Sequence, residues 1–139
     1  MKILLAVDGS AASTRAARQA VKLAQKIPDA SVTLFNADPP LMQAAAGKLG
    51  LEATQRYHAG NSQYASRAAR AVLKRGRIPF DERMVVGDPA KRIAREAKQG
   101  RHDLVVMGSR GRGGLKGLLL GSVAQKVIGL SEVPVLVVR

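Results

Sequence analysis

Residues 103–138 read DLVVMGSRGRGGLKGLLLGSVAQKVIGLSEVPVLVV: two short apolar runs separated by a glycine-rich segment and a helix. The first run, 103–108, is continuously apolar after Asp103, the pattern of a strand covered on both faces. Residues 122–130 read as a helix, and VPVLVV, 133–138, as a second strand with Pro134 near its start, where a missing N–H is tolerated. A strand, a helix and a further strand in that order form a right-handed crossover between parallel strands.

The same alternation extends upstream. KILLAVD, 2–8, is a short buried strand, and Gly9-Ser10 releases the chain into a helix over 11–27 with Ser10 as its cap. Ala16, Ala20, Ala24 and Ile27, with Ala17, Val21 and Leu23 beside them, make an apolar stripe opposite Arg15, Arg18, Lys22 and Lys26. SVTLFNA, 31–37, is the second strand, stopped by Asp38-Pro39-Pro40. Residues 41–62 show no clean period and read as a mobile connection or a short helical piece, whereas Ala65, Ala69, Val72 and Leu73 mark a helix over 63–76. FDERMVVG, 80–87, is the third strand. Asp88-Pro89 then starts a helix with a favoured cap and a proline in its first turn, running through Ile93, Ala94 and Ala97 to Gly100, expected as a left-handed terminator. These elements predict an α/β fold: one open parallel five-stranded sheet with helices on both faces, in one domain over 1–139.

Composition narrows the function. The chain of 139 residues is 46% hydrophobic but only 3% aromatic, so its core is aliphatic. No apolar run approaches the roughly 20 residues that span a bilayer, and no signal-peptide pattern follows Lys2, which predicts a cytoplasmic protein without membrane contact. The absence of cysteine excludes disulfides, thiolate nucleophiles and cysteine zinc sites, and His58 and His102 are expected at the surface. The net charge of +13, from 23 basic and 10 acidic residues, attracts polyanions, so a nucleic-acid partner enters as an alternative. The basic residues are scattered, however, and no aromatic residues interleave with them to stack bases, so that alternative is not favoured.

The glycine-rich segment carries the chemistry. Gly108, Gly111, Gly113, Gly114, Gly117 and Gly121 follow a buried strand and precede a helix. Such density fits backbone that takes positive φ or lies very close to a ligand. Phosphate is the natural candidate, because a helix N-terminus offers unpaired N–H groups and a positive dipole end, and Ser122 adds a hydroxyl there. Neither GxxxxGK[ST] nor GxGxxG after the first strand is present.

The spacing Gly108-x2-Gly111-x9-Gly121-Ser122 does match the G-x2-G-x9-G-[ST] signature of the ATP-binding universal stress proteins, and the chain resembles that family. The likeness includes AVDGS at 6–10, GDPA at 87–90, DLVVMGSRGRGG at 103–114, GSVAQKV at 121–127 and VPVLVVR at the end, leaving out 41–62. The resemblance implies a Rossmann-like sheet of the adenine nucleotide alpha hydrolase type, in strand order 3-2-1-4-5. It also implies a nucleotide across the carboxyl ends of strands one and four. An order reversal between those strands opens a crevice that Asp8 and the glycine-rich loop border.

Carried over position by position, the resemblance puts Asp8, with Ala6 and Val7 before it, near the ribose or a metal-bound water. It puts Ala37 and Met107 near the base, and Gly108, Gly111, Gly121, Ser122 and Val123 at the sugar and phosphates. Asn36 and Ala37 stand where the family commonly has a His-Val pair. Arg110, Arg112 and Lys116 are candidates to screen phosphate charge.

The implied cofactor is ATP, with Mg²⁺ or Mn²⁺ held by Asp8 through water. Hydrolysis needs a group that positions water, and the crevice-forming segments hold no histidine or glutamate, so slow turnover at most is expected. The expected role is that of a nucleotide-binding stress or regulatory protein with no catalytic residue. The alternative is a nucleotide-free basic module of the same fold that binds nucleic acid or an acidic protein. An ATP-dependent enzyme proper needs an acceptor site, which the sequence does not offer. The apolar last strand, Val133 to Val138, is expected at a sheet edge, and the resemblance implies a homodimer through it.

Overall fold

The apolar runs pair side by side into one parallel sheet, as their pattern predicts, in the order β3-β2-β1-β4-β5 that the resemblance implies. The computed structural model describes residues 1–113 and 119–139. In chain order the elements are β1 (Lys2–Ala6), α1 (Ala11–Ala24), β2 (Ser31–Asp38), α2 (Gln43–Leu49), α3 (Leu51–Arg75), β3 (Phe80–Val86), α4 (Pro89–Gln99), β4 (Leu104–Gly108), α5 (Ser122–Leu130) and β5 (Val135–Val138). Strand β1 pairs with β2 from Lys2↔Ser31 to Ala6↔Phe35 and with β4 from Ile3↔Leu104 to Ala6↔Met107.

Each face of the sheet carries its own core. Ile3, Leu5, Leu34 and Val106 turn toward α1 and α3, where they meet Ala16, Ala20, Ala69 and Leu73. Leu4, Phe35, Val105 and Met107 turn toward α4 and α5, where they meet Ile93, Ala97, Ala124 and Val127. Alanine dominates the helix side because a methyl group lets the helix approach the strands closely. Both predicted caps form: Ser10 Oγ accepts the Ser13 N–H at 3.1 Å and Asp88 Oδ1 the Lys91 N–H at 3.0 Å. Arg70 on α3 donates from Nε and Nη2 to Glu82 on the edge strand β3, and that carboxylate raises the guanidinium above its ordinary pKa.

Three expectations are corrected. Residues 41–62 do hold a short helical piece, α2 over 43–49, but the rest is no mobile connection: α3, expected from 63, starts at Leu51 and runs for 25 residues. The apolar period is missing there because the first half of α3 docks through polar side chains, described below. Both histidines, expected at the surface, are largely covered. His102 is 8% exposed; its Nδ1–H donates to Glu96 O at 3.2 Å, and its Nε2 shares a hydrogen bond with Thr33 Oγ1 at 3.1 Å. Gly100 is not left-handed but has φ −75°, and the positive φ falls on Arg101. Glycine is needed at 100 because a Cβ there overlaps the His102 ring.

Gly108 is another such position. A Cβ on it would lie 2.7 Å from the carbonyl carbon of Ala12 and 2.8 Å from Ser13 N, so the end of β4 rests directly on the first turn of α1. Gly108→Ala is expected to lower the unfolding free energy by about 1–3 kcal/mol in urea denaturation. Gly60→Ala, in the interior of α3 with nothing within 4 Å of the added carbon, should raise it by about 0.5–1 kcal/mol.

Candidate functional site

At the carboxyl end of the sheet the chain leaves β1 and β4 through two loops that are tied together by one carboxylate. Asp8 Oδ1 accepts the Ser10 N–H at 2.9 Å, closing a turn in which Gly9 takes φ +83°. Asp8 Oδ2 accepts the Arg112 N–H at 3.2 Å and so holds the glycine-rich loop. Gly111 passes so near that a Cβ on it would lie 2.8 Å from Asp8 Oδ2. Ser10 adds a bond from Oγ to Arg110 O at 3.3 Å. The two ends of the loop meet where Gly121 N–H donates to Ser109 O at 2.7 Å, which delivers the chain to the start of α5. Among the described glycines of this loop none has positive φ; Gly108, Gly111 and Gly121 serve close approach instead.

These loops border a cavity of about 410 Å³, within the range of small-molecule sites. All ten residues singled out from the sequence line it: Ala6, Val7, Asp8, Ala37, Met107, Gly108, Gly111, Gly121, Ser122 and Val123. Phe35, Ile93 and Pro89 extend its apolar wall. Arg110 and Arg112 also line it, the Arg112 guanidinium lying 5.7 Å from the Tyr64 ring centroid. Gly114, Lys116 and Gly117 lie outside the described residues. Helix α5 opens into the cavity with Gly121 as its N-cap and no side chain capping it, in contrast to α1 and α4. The N–H groups of Ser122, Val123 and Ala124 therefore have no partner within the helix.

A second polar cluster, not foreseen from the sequence, joins α3 to the end of β2. His58 Nδ1–H donates to Asp38 Oδ2 at 2.5 Å and Asn61 Nδ2 to the same oxygen at 3.0 Å. The His58 and Asp38 side chains are 11% and 5% exposed. Asp38 lines the cavity, and Ser62 Oγ donates to Asn36 Oδ1 at 2.9 Å one turn further along α3. Only the spacing of His58, Asn61 and Ser62, on one face of a helix, could have signalled this.

A model of the universal stress protein family matches residues 1–139. The chain belongs to the universal stress protein family. A universal stress protein of Methanocaldococcus jannaschii is 30% identical over 138 residues, covering 99% of this chain and 81% of the relative. The solved structure of the universal stress protein UspA from Lactobacillus plantarum has the same fold, with a TM-score of 0.84 at 23% identity over 100% of this chain and 97% of that one. A universal stress protein crystallised in complex with cAMP has a TM-score of 0.70 at 27% identity, again over 100% and 97% of the two chains.

Among the described residues of this universal stress protein, no three His, Cys, Asp or Glu side chains gather as a metal site, and no helix is long and apolar enough to cross a membrane. Removing one partner of a covered hydrogen bond strands the other. His58→Ala leaves the buried Asp38 carboxylate one donor short and is expected to cost about 1–3 kcal/mol of stability in urea denaturation, and the added change Asp38→Asn should restore part of it. A double variant no more stable than His58→Ala would mean that the stranded carboxylate is not the source of the loss.

Proposed function

We propose that this universal stress protein binds an adenine nucleotide, ATP or a close relative, in the crevice between the ends of β1 and β4. The observation that carries this reading is the uncapped start of α5, which faces a cavity walled on its other side by apolar residues. The phosphates take the unpaired N–H groups of Ser122, Val123 and Ala124 and the Ser122 hydroxyl, at the positive end of the helix dipole. Arg110 and Arg112 flank that end. The base lies against Phe35, Ala37, Ile93 and Met107, and the ribose near Asp8 and Gly108. The cAMP complex of the 27% identical relative supports this choice of ligand.

Mg²⁺ or Mn²⁺ fits as a companion of the phosphates. Each oxygen of Asp8 accepts one backbone N–H and keeps a lone pair for a metal-bound water, and magnesium ordinarily binds through one or two carboxylates, phosphate and water. The ion would supply charge neutralisation at the phosphates. Among the described residues lining the cavity, Asp8 and Asp38 are the only carboxylates; Asp8 is engaged by the Ser10 and Arg112 N–H groups and Asp38 by His58 and Asn61, so neither is a free base for water. The reading is accordingly a cytoplasmic regulatory or stress protein whose bound nucleotide changes stability or partner choice, with slow hydrolysis at most.

The edge strand β5 supports a homodimer. Val105 N–H donates to Pro134 O and Ser109 N–H to Val138 O, so strand alternation turns the N–H and C=O of Val135 and Val137 to the free edge. Val135 to Val138 stay half-buried in the single chain, and Ile128 and Leu130 nearby are exposed. A two-fold axis lets this edge pair with its own copy.

A Cβ at Gly121 would lie 3.3 Å from Arg110 Cα and 3.4 Å from Ser109 O, so Gly121→Val forces the glycine-rich loop away from α5. ATP affinity measured by calorimetric titration should fall about tenfold or more while the circular dichroism stays that of the parent; an unchanged affinity contradicts the assignment. Val135→Pro removes an outward N–H and keeps the β4 ladder, and light scattering should show a dimeric parent and a monomeric variant. A parent that is already monomeric at high micromolar concentration refutes the dimer.

A further inference from the structure

The ladder between β1 and β2 stops one bond short of where its register carries it. Val7 N–H donates to Phe35 O at 2.9 Å. In a parallel pair, the next bond runs from Ala37 N–H back to Val7 O. That oxygen instead accepts the side-chain amide of Asn36, with Nδ2 at 2.8 Å. The amide is held in this orientation because its Oδ1 accepts the Ser62 hydroxyl at 2.9 Å, and both side chains are buried.

Ala37 N–H makes no bond to Val7 O and has no strand partner on the flank of β2 where β1 has ended. Val7, Asn36 and Ala37 all line the cavity, as do the apolar Phe35, Ile93 and Met107. A backbone donor in such a place is costly to leave unmet. Asn36 gives one N–H to Val7 O and takes the Ser62 hydroxyl on its oxygen, so both ends of the amide are anchored within the protein. Its effect is to substitute for Ala37 in the ladder.

Resting on the nucleotide reading above, we propose that Asn36, latched by Ser62, is the positioning residue that keeps Ala37 N–H free for N1 of the base. Adenine offers an acceptor at N1, whereas hypoxanthine carries a hydrogen there. The latch therefore makes the site select ATP over inosine triphosphate, which has the same sugar and phosphates. Replacing Asn36 by leucine frees Val7 O to take Ala37 N–H, which completes the ladder and withdraws the donor from the cavity.

The test combines amide exchange by nuclear magnetic resonance with titrations of ATP and inosine triphosphate. In the parent, the Ala37 amide should exchange faster than that of Phe35 and slow on adding ATP but not inosine triphosphate, with ATP bound about tenfold or more tightly. In Asn36→Leu, the Ala37 amide should be protected without ligand, and the preference for ATP should shrink toward unity because ATP affinity falls and inosine triphosphate affinity holds. Ser62→Ala, which keeps Asn36 but unlatches it, should lose part of the preference and supplies the same readout if the leucine variant does not fold. An Ala37 amide already protected in the free parent, or equal affinity of the parent for the two nucleotides, overturns the proposal while leaving nucleotide binding intact. A parent that binds neither nucleotide overturns the nucleotide reading itself and the base selection with it, and the exchange data then judge the ladder geometry separately.

Discussion

Strand β1 is the element on which the rest of this structure depends. It is central in the sheet, bonded to β2 on one side and β4 on the other, and Ile3, Leu4 and Leu5 are fully covered on both faces. It is also short. The strand ends at Ala6, whereas β2 continues to Asp38 and pairs with β3 to the end of its length. The chains leaving β1 and β4 then separate onto opposite faces of the sheet, into α1 and α5. A crevice at the carboxyl end of such a sheet is a geometric consequence of that reversal. Asp8, two residues beyond β1, prevents the crevice from collapsing into loose loops, because its carboxylate bonds to the turn on one side and the glycine-rich loop on the other.

Much of this was legible because it rests on local rules. Strands covered on both faces need apolar runs: 3–7 and 104–107 are unbroken, and in 31–35 the residues Val32, Leu34 and Phe35 are interrupted only by the β-branched Thr33. Ser10 and Asp88 announce helix starts because a short oxygen-bearing side chain can reach a backbone N–H two or three residues on. The glycine spacing of the loop was readable for a related reason: Gly108 and Gly111 stand where an added carbon would meet backbone or a carboxylate at under 3 Å, and Gly121 where it would press on the loop backbone at 3.3 Å. The reason first offered by the sequence was ligand approach or positive φ. The observed one is contact with the protein's own α1, Asp8 and loop backbone.

What the sequence concealed is long-range and polar. Nothing near His58 in the chain indicates Asp38, and nothing near Asn36 indicates Ser62, because these pairs form only when α3 crosses the end of β2. The same docking hides the first half of α3 from periodicity arguments: its contacts to the sheet are a histidine, an asparagine and a serine rather than a stripe of leucines. His102 was missed for a similar reason, since its partners are a backbone carbonyl on α4 and a threonine on β2. Gly100 was assigned the wrong purpose because a helix-terminal glycine usually supplies φ, whereas here it makes room for an imidazole.

The excess positive charge is the feature that the crevice does not explain. Arg15, Arg18, Lys22 and Lys26 lie exposed on or just past α1, on the side away from the sheet, and would attract any polyanion weakly. A nucleotide held in the crevice and a nucleotide loosely attracted to the surface are therefore the two states to separate. The most direct measurement is the map of backbone amide chemical-shift changes on adding ATP to the labelled protein at moderate salt. Binding in the crevice predicts changes concentrated at Asp8, Ala37, Gly108 to Gly111 and Gly121 to Val123; changes spread over the exposed basic residues of α1 with the crevice unmoved would contradict it.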